Sequence, residues 1–473
     1  MKPRIGVFGI GLAAYWPQFE GLRERLEGYQ AHLERRLAEL GADVVSAGLV
    51  DTPEGARAAG AVLAAGRVEL VLLYTATYAT SSQVLPAVQE AKVPVVILNL
   101  QPTRSVDYEH MTTGEWLANC SACCVPELAG AFTRARVPYS TVTGTLLDGD
   151  PAWDAIHDWL AAARAVQSLR TSRLGFLGHT YPGMLDMYSD FTQVQAQTGA
   201  HVEVLEIDEL AARVERADAA AIERKGEEIR ATFELAEPGV DPIADEIRPE
   251  AFEWSARVAV GLDRLVADFA LDGLTYYYRG LDGNLNERIG AGLIVGNSLL
   301  TARGIPTSGE GDLKTNVAML LLDRLGAGGS YTEFYALDFD EGFVLMGHDG
   351  PGHLAIADGR PVARALKLYH GKAGAGLSIE MKVRLGPVTI LGLTQTAAGR
   401  LKLVAAEGES IPGPTFAIGN TNSRIRFAKG PAAFMDAWCA EGPTHHVALG
   451  SGHQLPRIRK VAELMGLELA AVD

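Results

Sequence analysis

The feature that most constrains this chain is a repeated exchange between short, continuously apolar segments and longer amphipathic ones. Ile5-Gly6-Val7-Phe8-Gly9 leads into a charged stretch from Phe19 to Leu40 and then a strand-like segment from Ala42 to Ala47. Helical stretches near 52–65 and 81–92 then alternate with apolar segments at 69–74 and 94–100. Strands that are apolar on both faces must be covered on both faces, which implies a parallel sheet between helices. A second cycle follows the helix expected at 154–167, with strands at 173–177, 202–207 and 273–278 and helices at 209–235 and 250–269. After a helix at 313–325, Gly326-Ala327-Gly328-Gly329 supplies a C-terminal stop. Beyond it the pattern becomes short strands between Gly, Pro and Asp turns, at 343–346, 377–384, 388–395, 401–406 and 415–418, before a last helix at 456–465.

A chain of 473 residues has room for two or three such cores. The expected fold is therefore α/β: two open doubly wound parallel-sheet domains over residues 1–168 and 169–326, then a mostly β C-terminal domain over 327–473, a small barrel or sandwich.

Charge and cysteine usage narrow the function classes. A formal charge of -16 repels nucleic acid and anionic membranes and favours a neutral small-molecule ligand. Cys120, Cys123 and Cys124 lack the second Cys/His pair of a structural zinc site, and with Cys439 far away they read as buried small hydrophobes. The N-terminus has no signal-peptide pattern and no segment approaches the roughly 18 apolar residues of a membrane span, so a cytoplasmic location is the expectation.

Several motifs carry chemistry, and each has a bland reading beside it. Gly9-Ile10-Gly11-Leu12-Ala13-Ala14 is a relaxed dinucleotide fingerprint without the third glycine, and a plain turn explains it better. Thr307-Ser308-Gly309-Glu310-Gly311-Asp312-Leu313-Lys314-Thr315 is more informative, because glycine on both sides of Glu310 lets the backbone turn sharply and frees the carboxylate to project toward a ligand. A surface turn with a solvated glutamate is the alternative. Glu333, in Ser330-Tyr331-Thr332-Glu333-Phe334-Tyr335, falls between Tyr331 and Tyr335 on one strand face, where a carboxylate needs a cation or a proton.

His348 ends an apolar strand, and His445-His446 opens another. Adjacent strand residues face opposite ways, so only one of that pair is expected to enter a given site. Two carboxylates and two imidazoles form an O/N donor set that suits Mn²⁺, Co²⁺, Mg²⁺ or Zn²⁺. The residue types permit sugar isomerisation, metal-assisted hydrolysis or an aldol reaction alike. Tyr276-Tyr277-Tyr278 ends a strand and can stack on a sugar or simply close a core, and His179, Tyr181 and Met184 occupy the analogous loop of the same segment.

The order Gly309-Glu310-Gly311-Asp312, then Gly329-Ser330-Tyr331-Thr332-Glu333, then Met346-Gly347-His348, then His445-His446 resembles the L-arabinose isomerase family. The resemblance implies a metal-dependent aldose–ketose isomerase acting through an enediol. Glu310, Glu333, His348 and His446 would hold a divalent ion, commonly Mn²⁺. Glu310 and Glu333 would also transfer the proton, and His445 would be the substrate-side neighbour of the metal histidine; His353, Tyr278 and Met184 are candidates for substrate contact from the residues alone. A three-domain architecture and a homo-oligomer, hexameric or trimer-based, are implied with it. The chain departs from the family where Asp349-Gly350-Pro351-Gly352-His353 follows the metal histidine in place of Met-Leu-Glu, so the pocket wall differs and the sugar is left open among pentoses, hexoses and deoxy sugars, with an L-fucose-isomerase-like specificity as one reading. A cytoplasmic sugar-binding protein without catalysis is the competing class, since two open α/β domains also make ligand clefts.

Overall fold

The computed structural model describes residues 2–279, 283–367 and 376–472. Its contacts divide the chain into two compact units, Met1–Gln167 and Ser168–Asp473. Among the described residues, no helix is long and apolar enough to cross a membrane.

The first unit is built on five parallel strands in the spatial order Asp43–Val50, Arg4–Ile10, Leu70–Tyr74, Val95–Gln101, Tyr139–Thr145. All five residues of Leu70–Tyr74 are buried, as a central strand covered on both faces must be. After the first strand the chain makes one 3-10 turn at Ala13–Tyr15, and the helix starts only at Leu22. The helix N-terminus that cradles a pyrophosphate in dinucleotide folds is thus not joined to the Gly9–Ala14 turn, which the plain-turn reading requires.

The second unit opens with four parallel strands in the order Thr307–Ser308, Gly273–Tyr277, Arg173–Gly178, His201–Leu205. It continues into an antiparallel barrel of six strands, Gly386–Gln395, His446–Ser451, Ser330–Asp338, Phe343–His348, Thr421–Phe427 and Leu401–Ile411. The ten paired positions between Gly386–Gln395 and Leu401–Ile411 close the ring, which removes the free edges an open sheet would expose. Glu468–Ala471 adds a parallel strand outside Leu401–Ile411.

The helix Leu313–Arg324 packs on two barrel strands, His446–Ser451 and Gly386–Gln395, and also on the central sheet. Its residues from Leu313 through Leu322 are all buried. A helix covered all round belongs to both layers at once, so the boundary expected between 326 and 327 lies inside one compact unit.

Two expected strands differ. Residues 415–418 are not a strand, and Phe416 and Ile418 are exposed. Pro412, Gly413, Pro414 and Gly419 bracket them, and the Asn422 side chain accepts from Phe416 N at 3.1 Å in place of a ladder partner. The strand lies instead at Thr421–Phe427, where buried Arg424 and Asn422 mask the apolar signal. The segment expected at 377–384 keeps only Ser378–Glu380 as strand.

Candidate functional site

Every residue of the site lies in the second unit. Glu310 leaves the carboxyl end of Thr307–Ser308 in the left-handed region at φ 62, followed by Gly311 at φ 70. Such backbone is unfavourable for glutamate and persists only where neighbours hold it. Here Tyr181 N donates to Glu310 O at 2.8 Å and Gly311 N donates to Tyr276 O at 3.0 Å. A side chain at position 311 would meet His179 O and Thr180 Cα at 2.6 Å, so glycine is needed for close approach as well as for its φ.

The barrel brings the other groups to the same place. Glu333 pairs with His446 on one side and Gly347 on the other, so three neighbouring strands deliver Glu333, His446 and His348 to one edge. His348 Nε2 lies 3.2 Å from His446 Nε2, and Glu310 Oε2 lies 3.4 Å from His446 Nε2. Glu310, His348 and His446 each offer a donor atom within 4.8 Å of the others, and Glu333, His445 and His446 form a second such group. The four side chains expected as ligands therefore fall into two overlapping sets that share His446.

His446, 1% exposed, has its proton fixed by its surroundings. Its Nδ1 faces Asp312 Oδ2 at 3.2 Å and the Tyr331 hydroxyl at 2.6 Å, and that hydroxyl donates to Gly309 O at 3.3 Å. With a carboxylate and an oxygen already spending its own proton as acceptors, Nδ1 is the nitrogen that keeps the hydrogen in the neutral imidazole, which leaves the Nε2 lone pair to a cation. Burial pulls the His446 imidazolium pKa down, but the hydrogen bond and charge of Asp312, with Glu310 and Glu333, outweigh it and raise it above the ordinary histidine value.

Asp312 is fully buried and satisfied: its Oδ1 accepts from Thr315 N at 3.0 Å as the helix N-cap, and its Oδ2 accepts from Thr315 Oγ1 at 2.7 Å. Burial raises the Glu310 carboxyl above its usual range, the two histidines pull it back, and Glu333 and Asp312 add to the rise. Its Oε2 is buried without a hydrogen-bond donor. An orphaned carboxylate oxygen facing imidazole nitrogens, one of them bare, is a donor set for a cation, and the residues fit a divalent ion.

His445 departs from the one-in, one-out expectation. It precedes the strand, which begins at His446, so strand alternation does not govern it. The two imidazole centroids lie 3.8 Å apart. Asp186 holds His445 in place: one carboxylate oxygen accepts from His445 N at 2.9 Å and lies 2.6 Å from its Nδ1. Lys314, 2% exposed and two residues past Asp312, donates to Asp186 O at 2.7 Å and Tyr188 O at 3.0 Å. One helix turn thus positions both imidazoles, His446 directly through Asp312 and His445 through the loop that Lys314 ties down.

The other residues expected to contact substrate have these surroundings. Met184 is half-buried beside the Leu185–Met187 turn that carries Asp186. Tyr278 packs against the apolar cluster of Leu177, Leu205, Val258 and Ile289. His353 is 3% exposed, with Nε2 3.3 Å from Asp323 Oδ1 and its backbone N donating to Ser330 Oγ, and it joins neither ligand group. Asp186 escaped the sequence reading because nothing local marks a residue whose partner is 259 positions away. Asp312 was legible only as a helix start, although Asp-x-x-Thr is the spacing that caps and is satisfied in return.

The chain is similar to known proteins over the region that carries these residues. The L-arabinose isomerase central-domain family matches residues 188–328, and the L-arabinose isomerase C-terminal-domain family matches residues 328–468. The L-arabinose isomerase of Nocardioides sp. is 24% identical over 412 residues, covering 85% of this chain and 80% of its own. Those of Aeromonas salmonicida and Acidothermus cellulolyticus are 22% and 23% identical with the same two coverages. The matched domains together span more than half of the sequence and contain Glu310, Glu333, His348, His445 and His446. The chain belongs to the L-arabinose isomerase family.

Proposed function

We propose that this protein is a divalent-metal-dependent aldose–ketose isomerase of a pentose, hexose or deoxy sugar, L-arabinose-like in substrate class and served by Mn²⁺ or a similar ion. The observation that carries the reading is the convergence of Glu310 Oε2, His348 Nε2 and His446 Nε2, with Glu333 entering from the strand beside His446. Glu310, Glu333, His348 and His446 would hold the ion, which when bound supplies the positive charge that lowers the cost of negative charge on the sugar oxygens.

The chain's own groups do the rest. Glu310, whose buried Oε2 has no hydrogen-bond donor and faces the imidazole pair, would take a proton from one sugar carbon and return it to the neighbour. Glu333, grouped with His445 and His446, would serve the second carboxylate role. His445, held by Asp186 at Nδ1 and grouped with Glu333 and His446, would accept from a sugar hydroxyl. Assembly as a hexamer or trimer-based oligomer and a cytoplasmic location belong to the same reading.

The test is a panel of aldoses and ketoses incubated with Mn²⁺ in D₂O and followed by NMR. Interconversion of one pair with deuterium at the exchanging carbon, lost on chelation and restored by Mn²⁺, is the expected result. Sugar binding without turnover in any pair would replace this reading by the non-catalytic one.

Asp186 gives a sharper check on His445. Asp186→Asn is expected to lower kcat about tenfold, the scale on which partners of site histidines act, with Mn²⁺ stoichiometry unchanged. In a His445→Ala background the same substitution should add nothing. An equal loss in both backgrounds would mean that Asp186 acts through the loop and not through His445.

A further inference from the structure

We propose that Cys120 and Cys123 form a redox-active dithiol that exchanges with low-molecular-weight disulfides of the oxidised-glutathione class and closes reversibly to an intramolecular disulfide. The two sulfurs lie 3.0 Å apart across two intervening residues. They sit in the junction between the helices Thr113–Ala118 and Val125–Ala135, where residues 120–124 belong to neither helix nor strand. A segment outside any helix or ladder can draw the sulfurs to the roughly 2.05 Å of a bond by local rotation.

The three neighbouring cysteines are not equivalent. Cys123 is exposed, whereas Cys120 is 5% exposed and Cys124 fully buried. The Cys124 sulfur is turned away toward Thr77 O at 3.8 Å and Ser121 O at 3.6 Å. Among the described residues no group of three metal-capable side chains includes a cysteine, so a thiolate metal site does not account for the pair.

Access sets the order of steps. Cys123, as thiolate, attacks one sulfur of the disulfide RSSR; the S–S bond breaks, RS⁻ leaves and takes a proton from solvent, and a mixed disulfide remains on Cys123. Cys120 then releases its proton to solvent and attacks Cys123 Sγ, expelling the second RS⁻. Two protein thiols lose two electrons and RSSR becomes two RSH. Cys120 does not lead, because burial, followed by the hydrogen bond and charge of Cys123, pushes it up to about 12. Capping Cys123 removes the charge that it adds to this rise, while burial remains.

The test uses the full chain, reduced, then incubated with excess oxidised glutathione, denatured in N-ethylmaleimide and read by mass spectrometry. The expected product has two of the four thiols protected, in one peptide carrying both Cys120 and Cys123 and lighter by about 2 Da, the two hydrogens lost on closure, and dithiothreitol reverses it. Cys120→Ser should trap a stable glutathione adduct on Cys123, and Cys123→Ser should abolish both adduct and closure. Four thiols still reactive after the incubation, an adduct on Cys123 that never resolves in the unmodified chain, or a disulfide through Cys124 or Cys439 would overturn the proposal.

Discussion

Glu310→Gln is expected to lower kcat by about three orders of magnitude, within the range that removal of a positioned general base produces. Glutamine has the same shape and the same cost at φ 62, so the strained turn held by Tyr181 N and Tyr276 O is retained. What disappears is the negative charge and the proton acceptor. In the metal-free protein the substitution should raise stability by on the order of 1 kcal/mol, because a buried carboxylate oxygen without a donor is replaced by a neutral amide that can donate to His446 Nε2. Opposite signs for activity and stability mark a residue kept for function. Steady-state kinetics, a Mn²⁺ titration by EPR and a urea melt of the chelated protein together check it, and a kcat within threefold of the parent would remove Glu310 from the chemistry.

How much of this was legible beforehand follows from the range of each interaction. The parallel sheets were readable because burying a strand such as Leu70–Tyr74 on both faces imprints a continuous apolar run that no other setting needs. The last domain was readable as a small barrel or sandwich but not as one of the two, since closure depends on Gly386–Gln395 meeting both a sequence neighbour and His446–Ser451, a register that no local pattern encodes. Thr421–Phe427 was missed for a related reason: its buried Asn422 hydrogen-bonds the neighbouring loop and its buried Arg424 pairs with Glu341, so their polarity says nothing about exposure.

At the site, Glu310 announced itself through flanking glycines, but the partners of the imidazoles did not. Asp312 marked only a helix entry and nothing singled out Lys314, whereas the structure buries both and has them orient His446 and His445. Residues that act through another residue leave their mark in the fold, not in the neighbouring letters.

That division makes Asp312 the residue with the largest expected structural effect. Asp312→Ala removes the N-cap acceptor of a helix buried through Leu322 and leaves Thr315 N, Thr315 Oγ1 and His446 Nδ1 short of a carboxylate, a loss of about 3 kcal/mol in denaturant unfolding of the metal-free protein. Asp312→Asn should cost much less, because the amide oxygen still caps the helix. The amide NH₂, however, then faces His446 Nδ1 and makes that nitrogen an acceptor, which moves the imidazole proton to Nε2, the atom aimed at His348 and Glu310. The asparagine variant is therefore expected to stay folded and yet raise the Mn²⁺ dissociation constant by about 10- to 100-fold, with kcat falling alongside. If Asn binds Mn²⁺ as tightly as the parent while Ala unfolds, Asp312 is only a cap, and the bare Nε2 of His446 is not set by the carboxylate behind it.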